Sequence, residues 1–218
     1  MSQQNTPRNG DTGKVPEATI LRLPLYLNRL KALSEAGVEC ISSRALAEQL
    51  RIKAGQLRHD FHHFGGFSRP GHPYKVEQLI ERLREIMALD AATPYIIVGA
   101  GHLGQAIASY TRFEDDGFQL RGLFDINPRI LGKSIRDIPV QDMDEISAFV
   151  AANGILIGAL AVPPGAAQEV ADRMVDSGIR GIWNFAPADL KVPEGVVVQD
   201  EFLSVGLMAL NYKVNAGD

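Results

Sequence analysis

From Pro16 onward, apolar residues recur at helical spacing: Ile20, Leu23, Leu27, Leu30 and Leu33 form one stripe that ends at Gly37. The pattern predicts a helix starting near Pro16, whose fixed φ suits a first turn, and bent at Pro24, which has no amide proton to donate. Ser42 or Ser43 can cap a second helix carrying Leu46 and Leu50. After a short turn, Arg51 to Ala54, comes a third helix, about Gly55 to Phe64. There the step of about 100° per residue sorts the side chains: with Leu57 at zero, Phe61 and Phe64 fall within about 40°, whereas Arg58, His59, His62 and His63 spread over about 100 to 240°. One side is apolar and the other cationic or hydrogen-bonding. The next stretch, GGFSRPGHPY, holds three glycines and two prolines and predicts a tight, hairpin-like loop presenting Arg69. A fourth helix, Lys75 to Leu89, carries Val76, Leu79, Ile80, Leu83, Ile86 and Met87.

After Asp90 the period changes. Strands are predicted over Tyr95 to Val98, Leu120 to Asp125, Ile155 to Val162, Gly181 to Phe185 and Val196 to Gln199, with helices over Leu103 to Arg112 and Gly165 to Ser177. This alternation implies a parallel sheet covered by helices. The run Phe202 to Tyr212 is uncharged and apolar or small nearly all round, so as a helix it needs cover on more than one side, from a second subunit or from its own chain. Residues 1–13 are polar and aperiodic, the composition of a disordered tail. Four parts are therefore expected: a tail (1–13), a helical unit (14–90), a strand-helix unit (91–200) and a C-terminal helix (201–218).

Of 218 residues, 45% are hydrophobic and 22% charged, enough apolar material for a core. No run approaches the roughly 20 apolar residues needed to cross a bilayer, and the N-terminus lacks a secretory signal's apolar core, so a cytoplasmic protein is expected, with no membrane partner. The single cysteine, Cys40, excludes an internal disulfide framework and a thiolate-rich metal site, and reads as a small buried hydrophobe. The net charge of −4 hides an asymmetry: Lys14 to Asp90 carries 12 basic against 9 acidic residues, and Ala91 to Asp218 carries 9 against 16. A basic front and an acidic back suggest two tasks.

The first strand runs into Gly99-Ala100-Gly101-His102-Leu103-Gly104 at the start of a helix. Gly99 permits the tight turn, Gly101 lets backbone approach a pyrophosphate, Gly104 allows close helix packing, and the helix N-terminus offers free amides. The next strand ends in Asp125, where a carboxylate would meet the ribose 2′-hydroxyl of a dinucleotide and repel a 2′-phosphate, favouring NAD over NADP. A tight turn with no ligand is the alternative.

The cationic side of the third helix, followed by Arg69, suits a recognition helix in a DNA major groove beside a wing; a solvated helix face is the alternative. Arg58 can make paired hydrogen bonds to guanine. His59 and His63, four apart, would present two metal ligands with no obvious third, so no metal is expected. Catalysis lacks parts: His102, the second unit's one histidine, lies inside the glycine turn, and no general acid is evident. The reading is therefore not an enzyme, although a small NAD-dependent oxidoreductase with an appended helical domain is the rival. A structural DNA-binding dimer with an empty glycine turn is a third possibility.

These residues resemble the redox-sensing transcriptional repressors of the Rex family from about Val15 to Tyr212. The matching runs include Arg22-Leu-Pro-Leu-Tyr26, Gly37 to Ser43, Leu57-Arg-His-Asp-Phe-His-His-Phe-Gly65, Gly99 to Tyr110, Ala161-Val-Pro163 and Asn184-Phe-Ala-Pro187. The resemblance implies an α/β chain with an N-terminal winged helix-turn-helix domain, a Rossmann-like parallel sheet domain and a C-terminal helix exchanged between subunits of a homodimer. It implies operator DNA as partner, and NADH and NAD as effectors, with NAD(H) a regulatory ligand. Gly99, Ala100, Gly101, His102, Leu103, Gly104, Asp125, Ile126 and Asn127 fall on the turn and ribose side. Tyr110, as a gate, with Ala161, Val162, Pro163, Asn184, Phe185 and Ala186 fall on the nicotinamide side. Ser43, Gln56, Arg58, His59, His62, His63, Arg69 and Tyr74 fall on the DNA side. The acidic partner of Tyr110 across the dimer is either Asp200 or Glu201. Departures from the family pattern are His59 and Ile130 where lysines are usual, Ser68 and Pro73 near usual wing glycines, and Asn28 in place of an arginine, with Arg29 beside it.

Overall fold

The computed structural model describes residues 15–65, 67 and 72–216, which fall into two units divided between Asp90 and Ala91. In the first, α1 (Glu17–Glu35) follows Pro16, whose carbonyl accepts from the Thr19 and Ile20 amides; Pro24 sits inside the helix without ending it. Gly37 leaves with a φ of +76°. The buried stripe is Thr19, Leu23, Tyr26, Leu27 and Leu30, while Ile20 is 52% exposed. The expected stripe is thus rotated: the Thr19 and Tyr26 hydroxyls turn inward to a buried carboxylate, and Ile20 turns out.

The unit continues with β1 (Cys40–Ile41), α2 (Ser43–Gln49), α3 (Ala54–His62), β2 (Tyr74–Lys75) and α4 (Val76–Ile86). Ser42, not Ser43, caps α2: its Oγ accepts from the Ala45 amide at 3.1 Å. The strands pair antiparallel as Cys40↔Lys75 and Ile41↔Tyr74, a ribbon beside the helix-turn-helix. Strand alternation buries Ile41 and turns Cys40 out, so Cys40 is exposed and not the buried hydrophobe its composition class suggested. Leu46, Leu57, Phe61, Val76, Leu79 and Leu83 fill the space between the helices.

The second unit is a seven-stranded sheet in the order β5-β6-β4-β3-β7-β8-β9. Its strands are β3 (Thr93–Val98), β4 (Phe118–Asp125), β5 (Ser134–Ile135), β6 (Ile138–Asp142), β7 (Ile157–Leu160), β8 (Gly181–Asn184) and β9 (Val197–Asp200). All pairs are parallel except β5 with β6. Between them lie α5 (His102–Ser109), α6 (Arg112–Asp115), α7 (Ile146–Asn153) and α8 (Ala167–Asp176). The hydrophobic pattern missed β5, β6 and α7. In β6 a proline interrupts the strand and only Val140 is buried, and α7 (ISAFVAAN) has no charged face to mark its period. The register Val98↔Phe124 and Val98↔Leu160 brings the carboxyl ends of β4, β3 and β7 to one edge. Finally, α9 (Leu203–Ala216) is exposed along its whole length, with no cover among the described residues of its own chain.

Candidate functional site

The Gly99 turn crosses the edge where β3, β4 and β7 end. Gly99 has a φ of +98° and donates its amide to the Phe124 carbonyl at 2.8 Å, and Ala161 donates to Val98 at 2.8 Å. A Cβ on Gly99 would collide with the Ala161 carbonyl, and one on Gly104 with the Gly99 carbonyl oxygen. These two glycines are filled in by the protein itself. Gly101 differs: a Cβ there would meet nothing within 4 Å among the described residues, so the turn leaves a cradle in front of the α5 amides. That open space at the N-terminus of α5 fits a dinucleotide pyrophosphate. His102 opens α5 and is exposed, Leu103 packs half-buried behind it, and Ala100 is buried.

Asp125 ends β4, half-buried. Its Oδ2 accepts from the Ala100 amide at 2.7 Å and its Oδ1 from the Asn127 amide at 2.8 Å, so one carboxylate ties the glycine turn to the following loop. A carboxylate has about four acceptor sites, so capacity for a ribose hydroxyl remains. Ile126 and Asn127 are exposed, and Asn127 Oδ1 accepts from the Arg129 amide at 3.1 Å.

Beyond β7, Ala161 and Val162 are half-buried and Pro163 exposed; beyond β8, Phe185 is half-buried. The Asn184 side chain is committed to the protein: Oδ1 accepts from the Ala186 amide at 3.0 Å, and Nδ2 donates to the Ala188 carbonyl at 3.1 Å and to Asp200 at 2.7 Å. Asn184 braces the loop that carries Phe185 and the buried Ala186, and leaves the ligand-facing role to backbone.

Tyr110 is the C-cap of α5, eight residues past His102. It is half exposed, its ring edge-on to Phe113 at 4.8 Å, and Phe113 meets Trp183 at 5.5 Å. Asp200 is held by Asn184, and Glu201 accepts from Trp183 Nε1 at 3.1 Å. Within one chain, then, neither carboxylate is seen paired with Tyr110. Near this end a hollow of about 420 Å³ is lined by Tyr95, Phe113, Phe118, Ile157, Trp183 and Val197.

In the first unit, Arg58, His59 and His62 lie exposed on α3, and Arg58 Nη1 reaches Ser43 Oγ at the start of α2 at 3.4 Å. His63 is half-buried against His59, ring centroids 4.9 Å apart, and its buried Nε2 has no hydrogen-bond partner among the described residues. Tyr74 departs further from expectation: its ring is buried, 7% exposed, and packs edge-on against Phe61 at 5.6 Å. It supports α3 from within, because the β1–β2 register sends it inward beside Ile41. Gln56 is exposed, but its Nε2 donates to Asp60 at 2.9 Å. Arg69 lies outside the described residues. No group of three or more His, Cys, Asp or Glu side chains placed to hold a metal exists among the described residues.

Sequence reasoning missed Asp60. It is fully buried inside α3 and accepts from Thr19, Arg22, Tyr26 and Gln56. Burial pushes this carboxyl up, and the hydrogen bonds from Arg22, Tyr26, Gln56 and Thr19 outweigh it, holding Asp60 well below the usual carboxylate range. The signal was present: three residues past Leu57 lies only about 60° from the apolar centre, so a charge there requires buried partners.

A family model described as "Putative DNA-binding protein N-terminus" matches residues 14–62, and one described as "CoA binding domain" matches residues 90–188. The "Redox-sensing transcriptional repressor Rex" of Thermoanaerobacter pseudethanolicus (strain ATCC 33223 / 39E) is 48% identical over 202 residues, 93% of this chain and 90% of that protein. The protein of the same description from Clostridioides difficile (strain 630) is 43% identical over 92% of this chain and 95% of its own length. Among solved structures, RSP, a Rex-family repressor, in complex with β-NAD⁺ and operator DNA is 47% identical with a TM-score of 0.87, covering 94% of each chain. RSP in complex with β-NADH is 46% identical with a TM-score of 0.86, covering 93% of this chain and 95% of that one. With a glycine cradle on one unit, a cationic helix on the other, and full-length likeness at this identity, the chain belongs to the Rex family of redox-sensing transcriptional repressors.

Proposed function

We propose that this chain is a repressor that holds operator DNA as a homodimer and releases it when NADH replaces NAD⁺. The observation that carries the reading is the open cradle at Gly101 beside the Asp125 carboxylate, in a chain that also presents Arg58, His59 and His62 on one helix face. The amides from Gly101 to Gly104 hold the pyrophosphate, and Asp125 with Ile126 and Asn127 meets the adenosine ribose and disfavours a 2′-phosphate. Ala161, Val162, Pro163, Phe185 and the backbone at Asn184 and Ala186 border the ring. Both nucleotides share the first two contacts, so discrimination falls to the ring: a charged nicotinamide in a dry slot is unfavourable, and a neutral dihydronicotinamide is not. Arg58, His59, His62, Ser43 and Gln56 read or flank the groove. The protein regulates and does not turn over its nucleotide, and it works in the cytoplasm, where operator DNA is reached.

The second copy is required by α9, whose Leu203, Leu207, Met208 and Tyr212 are each at least 66% exposed. A helix so apolar takes a partner.

The test is a gel-shift titration of operator DNA with NADH, NAD⁺ and NADPH in parallel at fixed salt. NADH is expected to release the DNA at concentrations where NAD⁺ and NADPH do not. Equal effects of NADH and NAD⁺ would refute redox sensing, and sustained oxidation of NADH by a small carbonyl compound would favour an oxidoreductase instead.

A further inference from the structure

Asp60 sits on the inner side of α3, next to His59 and two residues from Arg58. Its carboxylate accepts five hydrogen bonds: Oδ1 from Thr19 Oγ1 at 3.1 Å, Arg22 Nη2 at 2.8 Å and Gln56 Nε2 at 2.9 Å, and Oδ2 from Arg22 Nε at 2.7 Å and Tyr26 Oη at 2.6 Å. Four of the five come from α1, at three heights along one face. Stability alone does not account for such a cluster, because well-packed apolar residues in place of a buried ion pair are often as stable or more so. Apolar packing lacks direction. The two parallel Arg22 bonds fix the plane of the carboxylate, and with it the rotation of α3 about its own axis. A turn of about 20° would shift a side-chain tip at a radius of about 5 to 6 Å by about 2 Å, enough to break a base contact.

We propose that Asp60 is a positioning residue for operator reading: its fork with Arg22 sets the rotation of α3 against α1 and so aims Arg58 and His59 at the bases. The proposal rests on the reading of α3 as the DNA-reading helix. It follows that losing the fork lowers discrimination between sequences more than it lowers general affinity for DNA, since phosphate contacts tolerate small displacements and base contacts do not.

The experiment uses the full chain and two duplexes of equal length: one selected from a random-sequence pool by the wild-type protein, and one scrambled, both at the same salt. Three variants are compared, Arg22→Lys, which keeps the charge without the fork, Asp60→Asn, and the apolar pair Arg22→Met with Asp60→Leu, which keeps packing without direction. Thermal melting reports the fold of each. A folded variant is expected to bind the scrambled duplex within about twofold of wild type while its preference for the selected duplex falls about tenfold or more. An unchanged preference in a folded variant overturns the proposal, as does a proportional loss of both affinities that follows the folded fraction. If the wild type itself enriches no sequence, the reading of α3 fails first and takes this proposal with it. Should Asp60→Asn not fold, the apolar pair still decides.

Discussion

Gly101 and Gly104 stand three residues apart in one turn, and a side chain harms each differently. Gly104→Ala places a methyl group on the Gly99 carbonyl, so the turn must open; a lower melting temperature and loss of NADH binding are expected together. Gly101→Val points into open space, so melting is expected to stay near wild type while NADH binding, followed by its fluorescence, is lost and operator binding persists. The reverse pattern would show that Gly101, and not Gly104, holds the turn. Titratable residues give a second check. Burial pushes the Tyr95 phenol up to about 12. The unfolded chain releases that proton near pH 10 and the folded chain holds it longer, so stability present below pH 10 falls as pH rises toward about 12. Denaturant melts at rising pH should show this slope, and Tyr95→Phe should flatten it. Asp60 has the opposite sign: its folded value lies below the unfolded one, so its stabilisation is in place above about pH 4 and is lost as pH falls.

Helix α3 divides its labour by side. Leu57, Phe61 and Asp60 face inward, and Arg58, His59 and His62 face out, so changes on the two sides should separate binding from folding. Arg58→Ala is expected to weaken specific operator binding by about 1 to 3 kcal/mol, the worth of a bidentate base contact, with the melting temperature and NADH titration unchanged. Altered NADH affinity in that variant would contradict the assignment of the two tasks to two units. Element boundaries also explain what Tyr74 does. As the first residue of β2, paired with Ile41, it faces the interior and packs edge-on against Phe61, so its effect on DNA comes through the placement of α3.

A dimer would unite features that look unfinished in one chain: an apolar α9 exposed along its length and an aromatic-lined hollow on the sheet. Removal of residues 203–218 is expected to yield a monomer by sedimentation, and to weaken operator binding sharply because two half-sites are no longer read together. A truncated chain that remains dimeric would place the interface elsewhere. The coupling has a required symmetry: NADH affinity must fall in the presence of operator by the same factor by which NADH weakens operator binding. Calorimetric titrations with and without the selected duplex measure it, and equal NADH affinities in both would refute the linkage.

The chain order of elements, the glycine turn with its carboxylate, and the cationic side of α3 were legible in the sequence, because each rests on local geometry: a helical period, a strand end, a residue without a side chain. What remained hidden rests on distant partners. Tyr74 and Cys40 took their faces from a two-residue pairing between β1 and β2, and β6 exists because β4 offers it an edge. Ile20 was turned out of the core by hydroxyls reaching Asp60, some 40 residues away. Asn184 commits its side chain to Asp200 at the end of β9. Local period sets which elements form, whereas which face of each is buried depends on hydrogen bonds and packing between segments far apart in the chain, and those exist only once it has folded.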